Sequence, residues 1–132
     1  MRRLPLAIAA AAAALVALPA WRASAASAFD FDVWMRAVDK RSVSVQQRIA
    51  AQDAAGASDD AREIERLYGL MEAYFVRDGN SADAVTLSHD GKALAAAIPP
   101  ALDGRDYAAA ALAARTLAHA CNDCHDTYKP FK

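Results

Sequence analysis

The sequence predicts an all-α protein, an antiparallel up-down-up-down four-helix bundle. From residue 29 onward apolar residues recur at spacings of three and four, and no stretch alternates apolar and polar residues as a half-buried strand does. Alanine, the best helix former, is abundant throughout. Four helices joined by loops of about four to eight residues bury their apolar faces most simply as antiparallel neighbours.

The composition limits the chain to one small domain. It has 132 residues, of which 55% are hydrophobic and 23% are charged, with 15 basic residues against 16 acidic ones. The high apolar content excludes an intrinsically disordered chain, and the charge balance lacks the basic excess with which proteins hold nucleic-acid phosphates. We therefore expect no nucleic-acid partner.

Residues 1–25 have the layout of a secretory signal peptide. Two arginines precede an uncharged apolar run over residues 4–20, and the small residues that follow allow cleavage after Ala25 or after Ala28. Cleavage would remove three basic residues and no acidic ones, which takes the formal net charge from −1 to −4. We expect a periplasmic protein whose functional domain spans residues 29–132.

The apolar run has one alternative explanation, a membrane anchor that stays on the protein. The run is just long enough to cross a bilayer. Pro5, Pro19 and the two small-residue cleavage sites argue against an anchor. We therefore expect no stable membrane insertion after cleavage.

The first two helices are predicted over residues 30–52 and 59–77, with Gly56 and Ser58 between them. The second opens with Asp59-Asp60, which suits the positive end of a helix dipole. Their apolar faces consist of Met35, Val38, Ser42, Val45 and Ile49 in the first helix and Ile64, Leu67, Tyr68, Met71, Tyr74 and Phe75 in the second.

The third helix is predicted over residues 81–98. Asn80 or Ser81 can cap its start. It is expected to end before Pro99-Pro100, because proline lacks a backbone donor and disfavours a helical conformation in the residue before it. Gly91, in its middle, would allow a close approach by a neighbouring helix.

The fourth helix is predicted over residues 104–128, with Asp103 as its N-cap. Its inner face is made largely of small residues: Tyr107, Ala111, Ala114, Ala118, Cys121, His125 and Tyr128. Such a face leaves room for a bulky group inside the bundle.

A C-x-x-C-H motif, Cys121-Asn122-Asp123-Cys124-His125, lies near the end of the fourth predicted helix. This is the attachment pattern of c-type haem. Two thiols on one helical turn can add to the two vinyl groups of one porphyrin, and the adjacent histidine can then bind the iron. We predict haem c bound through Cys121 and Cys124, with His125 as the proximal iron ligand.

Two other chemistries use paired cysteines. A thioredoxin-like dithiol requires a βαβ setting with the motif at the start of a helix, and a zinc site requires further Cys or His ligands nearby. Neither setting is evident in a helical sequence that has only two cysteines. Both alternatives are therefore weaker than haem attachment.

The chain resembles the class II c-type cytochromes, that is, cytochrome c′ and its low-spin relatives. The resemblance rests on an exported four-helix layout and on the C-terminal motif, which is followed by Asp126-Thr-Tyr128-Lys129-Pro130. It implies haem on Cys121 and Cys124, His125 as the proximal ligand and a distal wall from the first helix. The resemblance alone also suggests a homodimer through the first two helices.

The sixth iron ligand is left open. Only seven residues follow His125, and none of them is Met, His or Cys, so an internal ligand must come from an earlier helix. Met35 is the leading candidate, because it lies on the apolar face of the first helix, from which the resemblance implies the distal wall. Ligation by its thioether would favour the ferrous state and raise the reduction potential. The alternatives are that Met35 is an ordinary core residue and that apolar residues such as Val38 and Val45 enclose an open site.

Other side chains are weaker candidates for the iron. Lys40 and Met71 are further ligand candidates, whereas His89 is expected on the surface. His119 lies about 240° around the same helix from His125 and cannot reach that iron.

Lys129 has the best position among the basic residues to contact a haem propionate, because it follows the motif closely. Arg36, Arg41 and Arg115 are alternatives, since a guanidinium matches a carboxylate in two hydrogen bonds. For any one of these basic residues, a charge on a solvated helix face is the better explanation.

Three functions are compatible with such a site. The first is one-electron transfer between periplasmic redox partner proteins. The second is a five-coordinate haem that binds nitric oxide or carbon monoxide. The third, peroxidase-like turnover, requires a distal acid-base pair, and the first helix carries no His-Arg pair, so we expect no enzyme activity.

Overall fold

A computed structural model of the chain describes residues 25–79 and 81–128, with side chains up to residue 124. Over these residues it contains no strand and forms four helices: α1 (Ala28–Ala50), α2 (Ala54–Asp78), α3 (Ala82–Asp103) and α4 (Tyr107–Tyr128). The predicted all-α fold with four helices is confirmed. Residues 1–24, Asn80, Lys129 and the side chain of His125 lie outside this description.

Each helix packs against two neighbours, in the cyclic order α1, α2, α3, α4 and back to α1. Near the start of α1, the ring of Phe31 packs on Phe75 near the end of α2, with centroids 5.1 Å apart. Farther along α1, Arg41 pairs with Asp60 near the start of α2. This is the pairing that antiparallel neighbours make, and the four helices enclose one core as a bundle does.

The core consists of side chains that recur at spacings of three and four, as the sequence indicates. On α4, however, the buried residues are Ala110, Ala114, Leu117 and Cys124, of which only Ala114 belongs to the predicted face. The fully buried members of the core, on all four helices, include Val45, Ala57, Ala61, Ile64, Ala84, Ala95, Ile98, Ala110, Ala114 and Leu117. Burial of these apolar side chains is the main driving force for packing the helices. In the described part of the chain, no helix is both long enough and apolar enough to cross a membrane.

α1 begins at Ala28 because Ser27 and Asp30 cap it reciprocally. The Ser27 hydroxyl accepts a hydrogen bond from the Asp30 backbone N–H at 3.2 Å, and the Asp30 carboxylate accepts one from the Ser27 backbone N–H at 2.7 Å. The hydrogen bond from the Ser27 backbone N–H lowers the pKa of the Asp30 carboxyl. The helix therefore starts two residues before the predicted residue 30. It also ends two residues before the predicted residue 52.

α2 begins at Ala54, five residues before the predicted start at residue 59. The Asp53 side chain caps it and accepts a hydrogen bond from the Gly56 backbone N–H at 3.0 Å. Gly56 and Ser58 lie inside the helix, so the expectation that they separate two helices was wrong. The helix ends at Asp78 and is followed by the C-cap Gly79, whose φ of 73° is a left-handed conformation that glycine adopts without strain.

α3 continues through Pro99 and Pro100 to Asp103, so the expectation that it ends before the prolines was wrong. The φ of proline suits a helix, but each proline leaves the carbonyl four residues earlier without its helical donor and crowds it with the ring. Burial of Ile98, Pro99 and Leu102 against the other helices offsets this local cost. Beyond the prolines, Gly104 N–H donates to the Pro100 carbonyl at 3.1 Å. Ser81 occupies the N-cap position but makes no capping hydrogen bond through its side chain.

α4 begins at Tyr107 and is capped by Asp106, whose carboxylate accepts a hydrogen bond from the Ala109 backbone N–H at 2.9 Å. The predicted cap, Asp103, is instead the last residue of α3. Three residues join each pair of consecutive helices. The first and third connections are shorter than the predicted helix bounds allow, because α2 starts early and α3 ends late, whereas the second has the length that those bounds give.

Candidate functional site

The two cysteines of the motif lie on α4 and face the rest of the bundle. Both are free, with Cys124 buried and Cys121 half-buried. Residues three apart on a helix are separated by about 60° around its axis, so the two thiols lie on one side of α4. This is the arrangement that attachment of one group through two sulfur atoms requires.

Cys121 is contacted by side chains from two other helices. The hydroxyl of Tyr68 on α2 lies 3.2 Å from Cys121 Sγ, and the hydroxyl of Ser42 on α1 lies 3.8 Å from the same sulfur. Tyr68 and Ser42 are themselves buried. The cysteine therefore lies at a junction of α1, α2 and α4.

The ring of Tyr68 lies against the backbone of α3 at Gly91. A Cβ atom at residue 91 would overlap Cε1 and Cζ of the Tyr68 ring. The close approach that Gly91 suggests is confirmed, and the group that approaches is this aromatic side chain. The glycine thus gives the ring the space from which its hydroxyl reaches the motif.

Burial raises the pKa of the Tyr68 hydroxyl far above its usual range, and the neighbouring Cys121 and Cys124 thiols raise it further. This hydroxyl therefore remains protonated at any physiological pH. It can donate one hydrogen bond and accept others.

The thiol of Cys124 is unsuited to nucleophilic redox chemistry. Burial, followed by the charges of Cys121 and Asp83, raises its pKa to about 11. Dithiol oxidoreductases attack as thiolates, which they stabilise at the positive N-terminus of a helix. Here the motif lies in the last two turns of α4, at the opposite end of the helix dipole. This environment disfavours the dithiol alternative.

The buried face of α1 provides apolar surroundings for the site. Val38 and Val45 lie one turn before and one turn after Ser42, and both are buried. On α2, Met71 lies one turn beyond Tyr68 and is also buried. Two thiols on one side of a helix, inside an apolar bundle and followed at once by a histidine, form a donor set that fits a c-type haem.

Met35 is half-buried and packs against the core. It precedes Ser42 by seven residues, which is close to two full turns, so both residues lie on the same face of α1. Because Ser42 contacts Cys121, Met35 lies on the helix face that lines the site. Its role as the sixth ligand stays a prediction.

The weaker ligand candidates lie in different surroundings. Met71 is buried on α2, whereas Lys40 is exposed and lines an outer groove beside α1. His89 is exposed, with Nδ1 3.3 Å from a carboxylate oxygen of Glu72. His119 is exposed on α4.

Two of the three arginines considered as partners of the haem propionates form ion pairs with carboxylates of this chain. Arg36 pairs with Asp32 at 2.8 Å, and Arg41 pairs with Asp60 at 2.5 Å. Arg115 is exposed on α4. Lys129, the leading candidate for the propionates, lies outside the described residues.

Asp60 is the centre of an ion-pair network that the sequence analysis missed. Its carboxylate, almost fully buried, accepts hydrogen bonds from Arg41 Nη1 and Ser44 Oγ, each at 2.5 Å, and lies 3.1 Å from Arg48 Nε. The network borders a groove of about 360 Å³ on the outer side of α1. Asp60 lies four residues before Ile64, on the same buried face, and that spacing could have revealed its burial.

Tyr68 and Ser42 were recognised from the sequence only as members of apolar faces. Their contacts with Cys121 join residues 53 and 79 positions apart, and local spacing carries no information about such pairs. Within the described part of the chain, no group of three or more His, Cys, Asp or Glu side chains is arranged to hold a metal ion.

In comparisons with known proteins, no family model, curated protein or solved structure matches this chain.

Proposed function

We propose that this chain is an exported c-type cytochrome that transfers single electrons in the periplasm. Haem c would be held by thioether bonds to Cys121 and Cys124, with His125 as the proximal ligand of its iron. The observation that carries the proposal is the placement of the two thiols. They lie on one side of α4, inside a four-helix bundle, and His125 follows them directly.

The haem would supply an iron that alternates between ferric and ferrous states. The chain's own part would be to fix the cofactor and to set its surroundings. Two covalent bonds would keep the cofactor on a small exported protein. The buried side chains of Val38, Val45 and Met71 would limit the access of water, and a low local dielectric of this kind tunes a reduction potential.

Met35 would act as the sixth ligand. Electron transfer is faster when the coordination is the same in both oxidation states, and a second axial side chain would hold it constant. Met35 lies on the α1 face that contacts the cysteine site, and a thioether ligand favours the ferrous state. Periplasmic redox proteins would be the partners.

The decisive measurement is the ultraviolet-visible spectrum of the holoprotein, produced with its leader in a host that has c-type haem attachment machinery. The ferric, ferrous and carbon monoxide-treated ferrous forms are recorded in turn. We expect covalently bound haem and a low-spin spectrum that carbon monoxide leaves unchanged. A high-spin spectrum that carbon monoxide shifts would instead support the gas-binding alternative.

Two sets of variants make the test specific. C121A and C124A are each expected to lose one thioether bond, which moves the haemochrome band to longer wavelength because one vinyl group stays unsaturated. M35L is expected to convert the spectrum to high spin, whereas M71L, which removes a buried thioether from α2, is expected to leave the iron coordination unchanged. Absence of covalently bound haem from the wild-type protein would reject the proposed function.

A further inference from the structure

We propose that Tyr68 is a positioning residue of the haem-attachment site, whose hydroxyl donates a hydrogen bond to the Cys121 sulfur and thereby raises the reduction potential of the bound haem. The inference rests on the proposed function, because it assigns a role to Tyr68 in the holoprotein. It adds a residue on α2, outside the C-x-x-C-H motif.

The first argument is the geometry of the contact. Tyr68 Oη lies 3.2 Å from Cys121 Sγ, a normal distance for a hydrogen bond to sulfur. The other hydroxyl near this sulfur, that of Ser42, is farther away at 3.8 Å. Tyr68 is 4% exposed, so water competes little for its hydroxyl.

The second argument is that the fold holds the ring in place. The ring of Tyr68 occupies the space beside Gly91 that a Cβ atom would fill. Tyrosine has few rotatable bonds, and a buried ring held between two helices has little freedom to turn its hydroxyl away. The contact with Cys121 is therefore a consequence of the packing of α2 against α3.

The third argument is the chemistry of the sulfur after attachment. In the free thiol either partner can donate the hydrogen. When the thiol adds to a vinyl group, a carbon-sulfur bond forms and the thiol hydrogen is transferred to the terminal vinyl carbon. A thioether sulfur carries no hydrogen, so the Tyr68 hydroxyl becomes the donor in this contact.

The direction of the effect follows from that orientation. An O–H group that donates to Cys121 Sγ directs the positive end of its dipole toward the sulfur and the macrocycle attached to it. A positive potential there favours the reduced iron, which carries one positive charge fewer. Removal of the hydroxyl is therefore expected to lower the reduction potential.

The test compares Y68F with Y74F in the holoprotein by spectroelectrochemical titration. Tyr74 is a matched control, because it lies on the same helix and its ring stacks on Phe31 with centroids 5.3 Å apart. We expect Y68F to lower the midpoint potential and Y74F to leave it unchanged. Haem content and unfolding temperature are measured on the same samples. A purely structural role of Tyr68 would change the unfolding temperature and leave the midpoint potential unchanged.

A second pair of variants moves the hydroxyl without removing it. G91A would displace the Tyr68 ring, whereas a Cβ at Gly69 would meet only Lys92 Cδ at 3.8 Å. We expect G91A to lower the potential and G69A to leave it unchanged. Equal potentials for wild-type protein and Y68F, with haem covalently bound in both, would overturn the role of Tyr68 and leave the proposed function intact. A wild-type protein without covalent haem would reject both.

Discussion

Asp60 of α2 is buried against Arg41 of α1, with 2.5 Å between the carboxylate Oδ1 and the guanidinium Nη1. The side chain of Asp60 is 6% exposed, whereas that of Arg41 is 42% exposed. The carboxylate therefore depends on the protein for its hydrogen bonds, whereas water can still reach the guanidinium. Because of this difference in burial, loss of the pair would leave the Asp60 carboxylate, and not the Arg41 guanidinium, as an uncompensated buried charge.

Substitution of Asp60 by alanine is expected to destabilise the protein by about 2 kcal/mol, because hydrogen bonds to a charged group are lost at a buried position. Urea unfolding monitored by circular dichroism measures the loss. D59A is the control, since the Asp59 side chain is 79% exposed and lies 3.5 Å from its ion-pair partner Arg62. A surface pair of that kind contributes at most about 0.5 kcal/mol, and equal losses in the two variants would contradict the burial of Asp60.

Substitution of Gly91 by alanine is expected to destabilise the bundle by about 1–3 kcal/mol, because the added methyl group overlaps the buried Tyr68 ring. The same change at Gly69 is expected to stabilise the protein by up to about 1 kcal/mol, since alanine is the better helix former. The two unfolding free energies should therefore move in opposite directions. A stabilised G91A variant would show that the ring does not occupy that space.

The aromatic cluster at the start of α1 is expected to contribute strongly to stability. Phe31 is buried and packs on Tyr74 and Phe75, with ring centroids 5.3 Å and 5.1 Å apart. We expect F31A to cost about 3–5 kcal/mol, the usual cost of removing a buried aromatic ring. F29A removes a ring that is 67% exposed and should change stability by less than about 0.5 kcal/mol. A small effect of F31A in thermal unfolding would exclude this packing.

The ion pairs that Glu72 of α2 makes with Lys92 and His89 of α3 should make the stability of the protein depend on pH in the acid range. Hydrogen bonds from Lys92 and then from His89 lower the pKa of the Glu72 carboxyl from its usual 4.5. A carboxyl with a lowered pKa in the folded state stabilises the protein above its unfolded-state pKa. That contribution is lost as the pH falls through the folded-state pKa.

The E72Q variant tests this pH dependence. At neutral pH the wild-type protein is expected to be more stable by about 0.2–1 kcal/mol, the range for partly exposed ion pairs. The difference should shrink to zero in acid, below the lowered pKa of Glu72. Glu65 on the same helix makes no ion pair with any side chain that the structure describes, so E65Q is the control. A difference that persists unchanged in acid would contradict the role of the Glu72 charge.

The sequence predicted the four helices because the apolar spacing of each persists for several turns. It misplaced the ends where tertiary contacts override local preference. Pro99 is buried and continues α3, although proline alone suggests a break. Gly56 lies within α2 because Asp53 caps the helix ahead of it, whereas glycine alone suggests a loop.

Only the part of the candidate site that lies within the C-x-x-C-H motif was predicted from the sequence. The two cysteines and His125 form a motif that is recognisable within five consecutive residues. Tyr68 comes from another helix, and its position beside Cys121 depends on how α2, α3 and α4 pack. Spacing within one helix indicates that the helix has a buried face, but it does not identify the partners of that face in the other helices.

If the predicted signal peptide is removed, the cleavage site determines whether the reciprocal cap formed by Ser27 and Asp30 survives. Cleavage after Ala25 keeps both partners, and it also keeps the Ala26 carbonyl that accepts a 2.7 Å hydrogen bond from Arg77 of α2. Cleavage after Ala28 removes Ser27 and Ala26, and the first N–H groups of α1 would then lack a side-chain acceptor. A difference of three residues in the leader would thus decide whether the first helix of the mature protein starts capped or frayed.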